Sequence, residues 1–398
     1  MKLLLLSSRP PWPPTRADQM TVDRLIRFLA SRGVQVDLAC FVESEQEDRA
    51  LRGELGPVCR RIATVRLPGW RGYANTALSL PTRAPMQVAY YRSPEMARLV
   101  AERTLREHYD LVYVHLIRMA EYARGLPLPK VIGLQISQAL NLQRMVDNVG
   151  DPARRFFYRL EANKVRPYEV AVCRDFDRVF LVGQRDIEEL AKTAPVDNAL
   201  VQPHGQDVPA PARLASAKRE PGAIVMSGVM ATYTNVDAAT WFAREIFPLV
   251  EREVPDASFW IVGRHPQREI QALARPPRVV VTGEVPDVSE WLLRAEVGVA
   301  PLRIGAGMQN KLVQAMAAGL PVVATPVANE GIGATPDAQL WLRNDARAFA
   351  DAVITLLRDR EARERLGAAA RSYVERQWTW EAHFEQQLRV FAEVAART

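Results

Sequence analysis

The sequence predicts two α/β domains, each organised around a parallel β-sheet. Short apolar runs alternate with amphipathic helical stretches along the whole chain, which is the pattern of successive strand and helix units. The alternation starts twice, at 2–7 and at 223–227, and the intervening segment 203–222 is rich in proline and alanine without apolar periodicity. A chain of 398 residues is also long enough for about two domains of ordinary size.

In the first half, the predicted strands are short apolar runs and the predicted helices have one apolar face. A helix over 21–31 would bury Leu25 and Leu29, and a longer helical region is predicted over 153–173. The strands are predicted at 2–7, 34–41, 111–115, 131–135 and 178–182.

The second half repeats the pattern and ends in helices. Helices are predicted over 236–254 and 308–318, and the tail from 345 onward is helical with an interruption at 378–380. The strands are predicted at 223–227, 258–262, 279–282, 298–301 and 321–325. These elements predict a first domain over 1–202, a linker over 203–222, a second domain over 223–370 and a terminal helical segment over 371–398.

Composition excludes several classes of protein. No apolar run approaches the roughly 20 residues of a membrane span, and the start of the chain lacks the apolar core of a secretory signal. The cysteines Cys40, Cys59 and Cys173 fit neither a disulfide framework nor a zinc site. These features predict a cytoplasmic protein.

The positive charge is concentrated in the first half of the chain. The net charge is +6, and residues 1–199 contain 30 Lys and Arg against 23 Asp and Glu. No nucleic-acid motif or aromatic-interleaved basic run accompanies this excess, so we expect no nucleic-acid partner. The positive charge is better explained by a phosphate-bearing substrate, or by peripheral contact of the first domain with an anionic inner membrane face, than by binding to DNA. A solvated arginine-rich surface is the alternative.

The most informative segment is 297–332, where a strand, a glycine-containing loop and a helix follow one another. The loop holds Gly305 and Gly307, and the helix over 308–318 ends at Gly319, a residue type that favours the left-handed terminating conformation. Two glycines before a helix let backbone amides approach an anion, and the helix N-terminus adds partial positive charge. The segment therefore predicts a phosphate-binding loop, with an ordinary glycine turn as the alternative.

Lys311 and Gln314 extend this predicted site along the helix. Lys311 falls in the first helical turn, where a cation is unfavourable by up to about 1 kcal/mol, although only six lysines accompany 46 arginines in the chain. A bound anion would offset that unfavourable charge, and Gln314 lies on the same helical face.

The loop also matches part of a dinucleotide-binding fingerprint. Gly305 and Gly307 occupy two of its three glycine positions, but Asn310 stands at the third and Glu330 lies beyond the end of the following strand. A nicotinamide-dependent oxidoreductase is therefore a less favoured alternative.

The segment 297–332 resembles the signature of retaining GT-B glycosyltransferases of family 4, in particular the branch associated with bacterial exopolysaccharide and exosortase (PEP-CTERM) loci. The opening RPPWPPTRADQMTVDRLIRFLASRGVQVDLACF resembles the proline-rich first loop and helix of that branch. MSGVMATYTNVDAATWFAREIFPLVEREVPDASFWIVG and VVVTGEVPDVSEWL resemble its second domain. The resemblance implies two Rossmann-like domains facing across a cleft, with C-terminal helices that cross back to the first domain.

The resemblance also implies how the donor is held. Amides of 305–308 would meet the sugar and distal phosphate, Lys311 would neutralise the diphosphate, and Gln314 would contact the ribose. Arg264 would reach the phosphates, while Gly283 and Glu284 would border the nucleobase. The complete predicted donor site is Gly228, Arg264, Gly283, Glu284, Gly305, Ala306, Gly307, Met308, Gln309, Asn310, Lys311 and Gln314.

The implied reaction transfers a hexose from a UDP- or GDP-sugar to a saccharide or lipid-linked saccharide with retention of configuration, in exopolysaccharide or cell-surface glycan synthesis. No cofactor or metal is expected, because the His and Cys residues are scattered. No pair of carboxylates can be singled out for the double displacement of retaining hydrolases. We therefore expect the leaving phosphate to help deprotonate the acceptor, with Lys311 and His115 as the catalytic residues.

The sequence departs from the family at two glutamates. The family usually has them eight positions apart, where this chain has Ala306 and Gln314. The arginine and lysine that commonly follow the first strand of the second domain are also replaced, by residues 227–230. Glutamine hydrogen-bonds a hydroxyl but supplies no negative charge. A catalytically weak nucleotide-sugar binder or partner subunit is therefore the alternative to an active transferase.

The acceptor is predicted at the carboxyl ends of first-domain strands. Arg16, Asp18 and Gln19 follow a proline-rich loop there. His115 ends another strand, at a position that the resemblance to the family places near the transferred sugar. A helix N-cap for Asp18 and a hydrogen-bonded structural histidine are the alternatives.

Two further segments of the first half have weaker signals. The segment 81–92 mixes arginine and tyrosine, a composition suited to a lipid headgroup surface or to an ordinary loop. The segment 204–207 resembles the interdomain turn of the family, for which a hinge role is expected.

Overall fold

The computed structural model describes residues 1–149, 151–304 and 308–397, which form two compact units. The first unit combines Met1–His204 with His383–Thr398, and the second is Gly205–Ala382. Each unit has its own sheet of parallel strands, which confirms the predicted pair of α/β domains.

The first unit is built on a sheet whose central strand is apolar on both faces. The strands are β1 Lys2–Ser7, β2 Gln35–Val42, β3 Arg61–Arg66, β4 Leu111–His115, β5 Lys130–Gln135, β6 Arg178–Leu181 and β7 Ala199–Val201. In the described residues they form one seven-stranded sheet in the order β3-β2-β1-β4-β5-β6-β7. Leu3 to Leu6 are all buried, so β1 is covered on both sides of the sheet.

Four helices of the first unit begin after residues whose side chains cap them. Ser44, Ser93, Ser137 and Asp151 each accept a hydrogen bond from an amide of the following helical turn. A 3₁₀ helix, Ile117–Tyr122, follows β4. The α-helices are α1 Ala17–Ser31, α2 Glu45–Leu55, α3 Gly69–Ser79, α4 Met86–Tyr90, α5 Pro94–Arg106, α6 Gln138–Asn148, α7 Pro152–Asp175 and α8 Gln184–Ala191.

The second unit repeats the strand order of the first. Its strands are β8 Ala223–Ser227, β9 Ser258–Val262, β10 Val279–Gly283, β11 Val297–Ala300, β12 Val322–Ala324 and β13 Trp341–Leu342. In the described residues the sheet order is β10-β9-β8-β11-β12-β13. The direction of strand succession reverses between β8 and β11, and ligands of open α/β sheets bind at the carboxyl edge beside such a switch point.

The helices of the second unit include short ones that the sequence did not predict, and the longest predicted one before the tail is interrupted. The helix predicted over 236–254 is divided by a π turn at Phe242–Ile246. Pro248 stands in the next turn, and proline lacks the amide donor of a regular helix and crowds the carbonyl four residues earlier. The α-helices are α9 Pro211–Ser216, α10 Tyr233–Trp241, α11 Phe247–Glu253, α12 Arg268–Gln271, α13 Val288–Arg294, α14 Asn310–Ala317, α15 Pro326–Asn329, α16 Ala346–Arg358 and α17 Arg360–Gln377.

The unit boundaries differ from the predicted domain boundaries on both sides of the second unit. The segment predicted as a linker over 203–222 belongs to the second unit from Gly205 onward, where Arg219 donates hydrogen bonds to the carbonyls of Ala295 and Gly319. The terminal segment leaves the second unit at 383, not at 371. α17 stays in that unit because it buries Ala370 and Val374 in its core.

The last helix, α18 Trp380–Ala395, contributes to the core of the first unit from His383 onward. The ring of Phe391 lies 5.2 Å from that of Tyr113 and 6.3 Å from that of Phe180. In the described part of the chain, no helix has both the length and the apolar character that crossing a membrane requires.

Candidate functional site

The second unit has a cavity of about 620 Å³ at the carboxyl edge of its sheet. It lies at the switch point between β8 and β11, because it is bordered by residues after β8 and by the start of α14. Its walls combine strand ends, helix starts and polar side chains. The lining residues are Ser227, Gly228, Val229, Thr232, Thr234, Asn235, Gly263, Arg264, Glu284, Val285, Val288, Met308, Gln309, Asn310, Lys311 and Gln314.

Two glycines allow the strand ends to approach each other at the cavity wall. A Cβ atom on Gly263 would lie 1.7 Å from the carbonyl oxygen of Gly228, and one on Gly228 would lie 2.7 Å from Nδ2 of Asn235. Both glycines have positive φ values that other residues rarely adopt. Glycine is therefore required at both positions, because a side chain would overlap the neighbouring strand end or Asn235.

Lys311 is held inside this cavity without a counter-charge. Its Nζ donates to Oδ1 of the buried Asn235, whose Nδ2 donates to the carbonyl of Val229 at 2.9 Å. Within the described residues no carboxylate forms an ion pair with Lys311. Burial lowers the pKa of Lys311 from 10.5 to about 8, because the charged form is desolvated.

The start of α14 adds further positive potential around Lys311. α14 begins at Asn310, so Lys311 lies in its first turn, and no acidic residue accompanies it there. Free amides and the helix dipole both favour an anion at this place. Half-buried Gln314 lies one turn further along the same cavity wall.

The other predicted donor residues fall around the cavity in different ways. Arg264 and Glu284 are exposed residues after β9 and β10 that line it. Gly283 does not line it, but its φ of +70° is left-handed and its carbonyl accepts the amide of Gly263 at 3.2 Å. Met308, Gln309 and Asn310 line the cavity beside Lys311. Gly305, Ala306 and Gly307 lie outside the described residues.

The polar side chains that β8, α10 and the residues between them contribute were not among the predicted site residues. Asn235 fixes Lys311, and Ser227, Thr232 and Thr234 line the same cavity. The signal for these residues is a buried strand ending in Ser-Gly and followed by a threonine-rich helix start, a common arrangement for ligand contacts at a sheet edge.

The predicted acceptor residues of the first unit make different contacts, and their role as an acceptor site stays a prediction. Gln19 uses its side chain within the proline-rich loop, since Nε2 donates to the carbonyl of Pro10 at 2.8 Å and Oε1 accepts from Thr15 at 3.0 Å. Asp18 pairs with Arg9 at 3.0 Å. Arg16 lines a separate cavity of the first unit.

His115 is enclosed at the end of β4. It is 1% exposed, its Nδ1 lies 3.4 Å from the hydroxyl of Tyr113, and its Nε2 has no hydrogen-bond partner among the described residues. Burial lowers its pKa from 6.5 to about 4. The imidazole is therefore neutral at physiological pH.

The segment 81–92, for which a headgroup contact or an ordinary loop was predicted, buries Tyr91 and leaves Tyr90 partly exposed at the wall of a cavity. Met86, Val88 and Ala89 of α4 are buried, and Tyr91 is 8% exposed. The arginines at its two ends, Arg83 and Arg92, are exposed. The segment is a packed part of the first unit because its apolar side chains point into the core.

Comparison with known proteins identifies the class of the domain that holds the cavity of the second unit. Residues 221–359 match the family model described as glycosyl transferases group 1. The second unit contains a glycosyltransferase group 1 domain. Gly228, Gly263, Lys311 and Gln314 all lie within this group 1 domain.

Two relatives and one solved structure extend the comparison. The phosphatidyl-myo-inositol mannosyltransferase of Mycobacterium leprae is 34% identical over 151 residues, 35% of this chain and 39% of that protein. An uncharacterized 44.6 kDa protein from the cps region of Klebsiella pneumoniae is 19% identical over 386 residues, 94% of this chain and 95% of that protein. The Anabaena protein Alr3699/HepE in complex with UDP and glucose gives a TM-score of 0.59 at 13% identity, covering 99% of this chain and 100% of that chain. Such likenesses to glycosyltransferase structures show a GT-B fold.

Proposed function

We propose that this chain transfers a hexose from a UDP- or GDP-sugar to a saccharide or lipid-linked saccharide, with retention of configuration and without a metal ion. The observation that carries the proposal is Lys311, a buried cation without a counter-charge at the start of a helix in the group 1 domain. A pyrophosphate would supply the missing negative charge. The UDP and glucose bound by Alr3699/HepE support a donor of this class.

The donor site uses several groups that each favour a diphosphate. The close approach of Gly228 and Gly263 leaves room for phosphate oxygens beside the backbone. Lys311 donates to a phosphate oxygen, while Asn235 keeps the ammonium group in place. Gln314 hydrogen-bonds a ribose hydroxyl, and Arg264 and Glu284 border the phosphates and the base.

The proposed reaction breaks the bond between the anomeric carbon and the diphosphate oxygen. The electron pair of that bond stays on the phosphate, where Lys311 and the amides of α14 stabilise the increasing negative charge. The acceptor hydroxyl oxygen attacks the anomeric carbon from the side that the diphosphate leaves. Its proton passes to a phosphate oxygen of the leaving group, so neither a protein base nor a protein nucleophile is needed.

The proposal places the protein in bacterial exopolysaccharide or cell-surface glycan synthesis. It also places the protein in the cytoplasm, with peripheral contact to the inner membrane face. The relative encoded in the Klebsiella pneumoniae cps region supports this setting. The basic excess of residues 1–199 suits an anionic membrane surface.

Direct measurement of donor use tests the proposal. Purified protein is incubated with UDP- and GDP-hexoses in the presence of EDTA, and released nucleotide and sugar are followed, with the anomeric configuration of any product read by NMR. We expect slow donor hydrolysis, faster release with an acceptor, and protection of the protein by UDP or GDP but not NAD in a thermal shift assay. Nucleotide binding without sugar release under any condition would favour the alternative function, a weak nucleotide-sugar binder, which the replacement of glutamate by Gln314 motivates.

A further inference from the structure

The first unit has a second cavity, of about 650 Å³, for most of whose lining residues the sequence predicted no role. It is bordered by α3, α4, the 3₁₀ helix, α6 and α7, elements that follow the carboxyl ends of β3, β4 and β5. Arg16 lines it, whereas Asp18, Gln19 and His115 do not.

The inner wall of this cavity contains two polar atoms without partners. Oε1 of Glu161 accepts the amide of Met86 at 2.8 Å, but its buried Oε2 has no hydrogen-bond partner among the described residues. Nη1 of Arg118 is equally buried and unpaired in that part of the chain, with the guanidinium 5.8 Å from the ring centre of Tyr91. Buried polar groups are normally hydrogen-bonded. A ligand rich in hydroxyl groups, which both donate and accept, would satisfy both atoms.

The rim of the same cavity is apolar and open to solvent. Tyr73 is 72% exposed, Phe157 46% and Met145 40%, although all three line the cavity. Trp70 on α3 and Phe156 on α7, the helices that carry Tyr73 and Phe157, are each 70% exposed. Large exposed apolar patches of this kind mark binding surfaces for apolar ligands or partners.

Two of the three helices that carry the rim residues, α3 and α7, are fixed to each other. Nζ of Lys164, on α7, donates to the carbonyls of Ser79 and Leu80 at the end of α3, at 3.0 and 2.9 Å. On the opposite side, Gly72 of α3 allows Tyr90 of α4 to pack against it, since a Cβ there would lie 2.3 Å from the Tyr90 ring. The exposed side chains are therefore presented by a preformed wall.

We propose that this cavity binds the acceptor, and that the acceptor is an amphiphile whose sugar head lies between Glu161 and Arg118 while its hydrocarbon chain lies on Tyr73, Met145 and Phe157. The proposal rests on the glycosyl transfer proposed above. A free sugar would leave the exposed rim without a function, and a bilayer or a protein surface would leave the buried atoms of Glu161 and Arg118 unsatisfied. A glycolipid head with its chain matches both parts of the cavity.

Alkyl glycosides below their micelle concentration test this assignment on the full chain. Glucose, n-hexyl β-D-glucoside and n-octyl β-D-glucoside are titrated by calorimetry, with n-octyl tri(ethylene glycol) as an amphiphile without a sugar. We expect affinity to rise about fourfold for each methylene buried on the rim, and the octyl glucoside to bind more tightly than the ethylene glycol compound. Equal binding of glucose and octyl glucoside, or of the two octyl compounds, would overturn the proposal.

Matched variants separate the rim from the inner wall. The double variant Tyr73→Ser with Phe157→Ser is expected to lose the gain from chain length, whereas Leu105→Ser, at an 85% exposed leucine on α5, should keep it. Glu161→Gln retains an acceptor for the Met86 amide, and it should remove the preference for the sugar head. A rim variant that binds octyl glucoside like the wild type contradicts the assignment.

Two controls test whether the rim is instead a contact with another protein or with a bilayer. If the rim variants convert a dimer to a monomer in size-exclusion chromatography, or abolish binding to phosphatidylglycerol vesicles that contain no glycolipid, the rim has one of these two roles and the proposal fails. UDP protection is measured on the same preparations. A wild-type protein that UDP does not protect would refute the proposed donor site while leaving the glycoside titrations as an independent result.

Discussion

The Lys311→Met substitution removes a buried positive charge and keeps an unbranched side chain of similar length. In the free protein the charged lysine is unfavourable, because burial lowers its pKa from 10.5 to about 8. At about 1.4 kcal/mol for each pH unit, this corresponds to a penalty of about 3 kcal/mol at pH 7. In the variant, Oδ1 of Asn235 loses its hydrogen-bond donor, and this loss cancels about 1 kcal/mol of the stabilisation gained by removing the charge.

We therefore expect Lys311→Met to stabilise the ligand-free protein by about 2 kcal/mol and to weaken nucleotide binding at the same time. For a unit of this size the stabilisation raises the melting temperature by several degrees. Loss of one charge-assisted hydrogen bond to a phosphate weakens UDP or GDP binding by about 1.5–3 kcal/mol, roughly 10- to 150-fold. Lys218→Met, at an exposed lysine of the same unit, is the matched control and should change neither quantity.

Thermal unfolding with and without UDP, followed by calorimetric titration, measures both effects. The pH adds a further test: a diphosphate stabilises the charged lysine, so affinity should fall as pH rises above about 8, where the free protein loses this proton. A lower melting temperature of ligand-free Lys311→Met would show that the lysine serves as a structural support for Asn235. Unchanged UDP affinity would refute the donor-site assignment.

Three other substitutions test separate parts of the structure. Gly263→Ala should destabilise the second unit by about 3 kcal/mol or more in a denaturant titration, because the new Cβ would overlap the Gly228 carbonyl. The control Gly53→Ala has open space around the new Cβ and should be neutral or stabilising. Equal effects of the two substitutions would contradict the close packing of the strand ends. His115 should make the wild type lose stability as pH falls from 6.5 to 4, by up to about 1.4 kcal/mol per pH unit, because the unfolded chain then binds a proton that the buried imidazole does not; buried His383, whose pKa is also lowered to about 4, adds a similar loss that any variant of His115 retains. His115→Gln should remove the contribution of His115 to the pH dependence of the free energy of unfolding. If the variant and the wild type have the same pH dependence, His115 is not a neutral buried imidazole. Gln314→Glu should raise turnover about tenfold, the equivalent of one charge-assisted hydrogen bond to the donor, and unchanged turnover would mean that glutamine suffices.

The elements predicted most accurately from the sequence are strands buried on both faces. The bounds predicted for β1, β4, β8 and β9 agree with the structure, since a continuous apolar run leaves little choice of register or face. β3, Arg61–Arg66, was overlooked because it is an edge strand whose polar residues alternate with small apolar ones. Its position depends on pairing with β2, which is a non-local contact that local patterning does not contain.

The candidate site divides in the same way between local and non-local information. The helix start at Lys311 was predictable, because strand, glycine loop and helix are contiguous in sequence. The partner of Lys311 was not, since Asn235 lies 76 residues away and reaches it only after β8 and β11 have paired. The acceptor role of Asp18 and Gln19 was predicted from their position alone and stays a prediction; their contacts with Arg9 and with the carbonyl of Pro10 were not predictable from local sequence.

The absence of a carboxylate at position 314 has a physical consequence for Lys311. The two side chains are three residues apart on one helix and line the same cavity, where a glutamate would attract the ammonium group and raise its pKa. With glutamine, the ligand-free protein retains a buried charge that only Asn235 solvates among the described residues. A bound diphosphate would supply the missing counter-charge. Part of the affinity for the diphosphate would then come from removing the unfavourable free energy of the buried, uncompensated lysine charge in the free protein. If the cavity binds the donor as proposed, glutamine in place of the usual glutamate would strengthen the electrostatic contribution of Lys311 and weaken the hydrogen bond to the ribose.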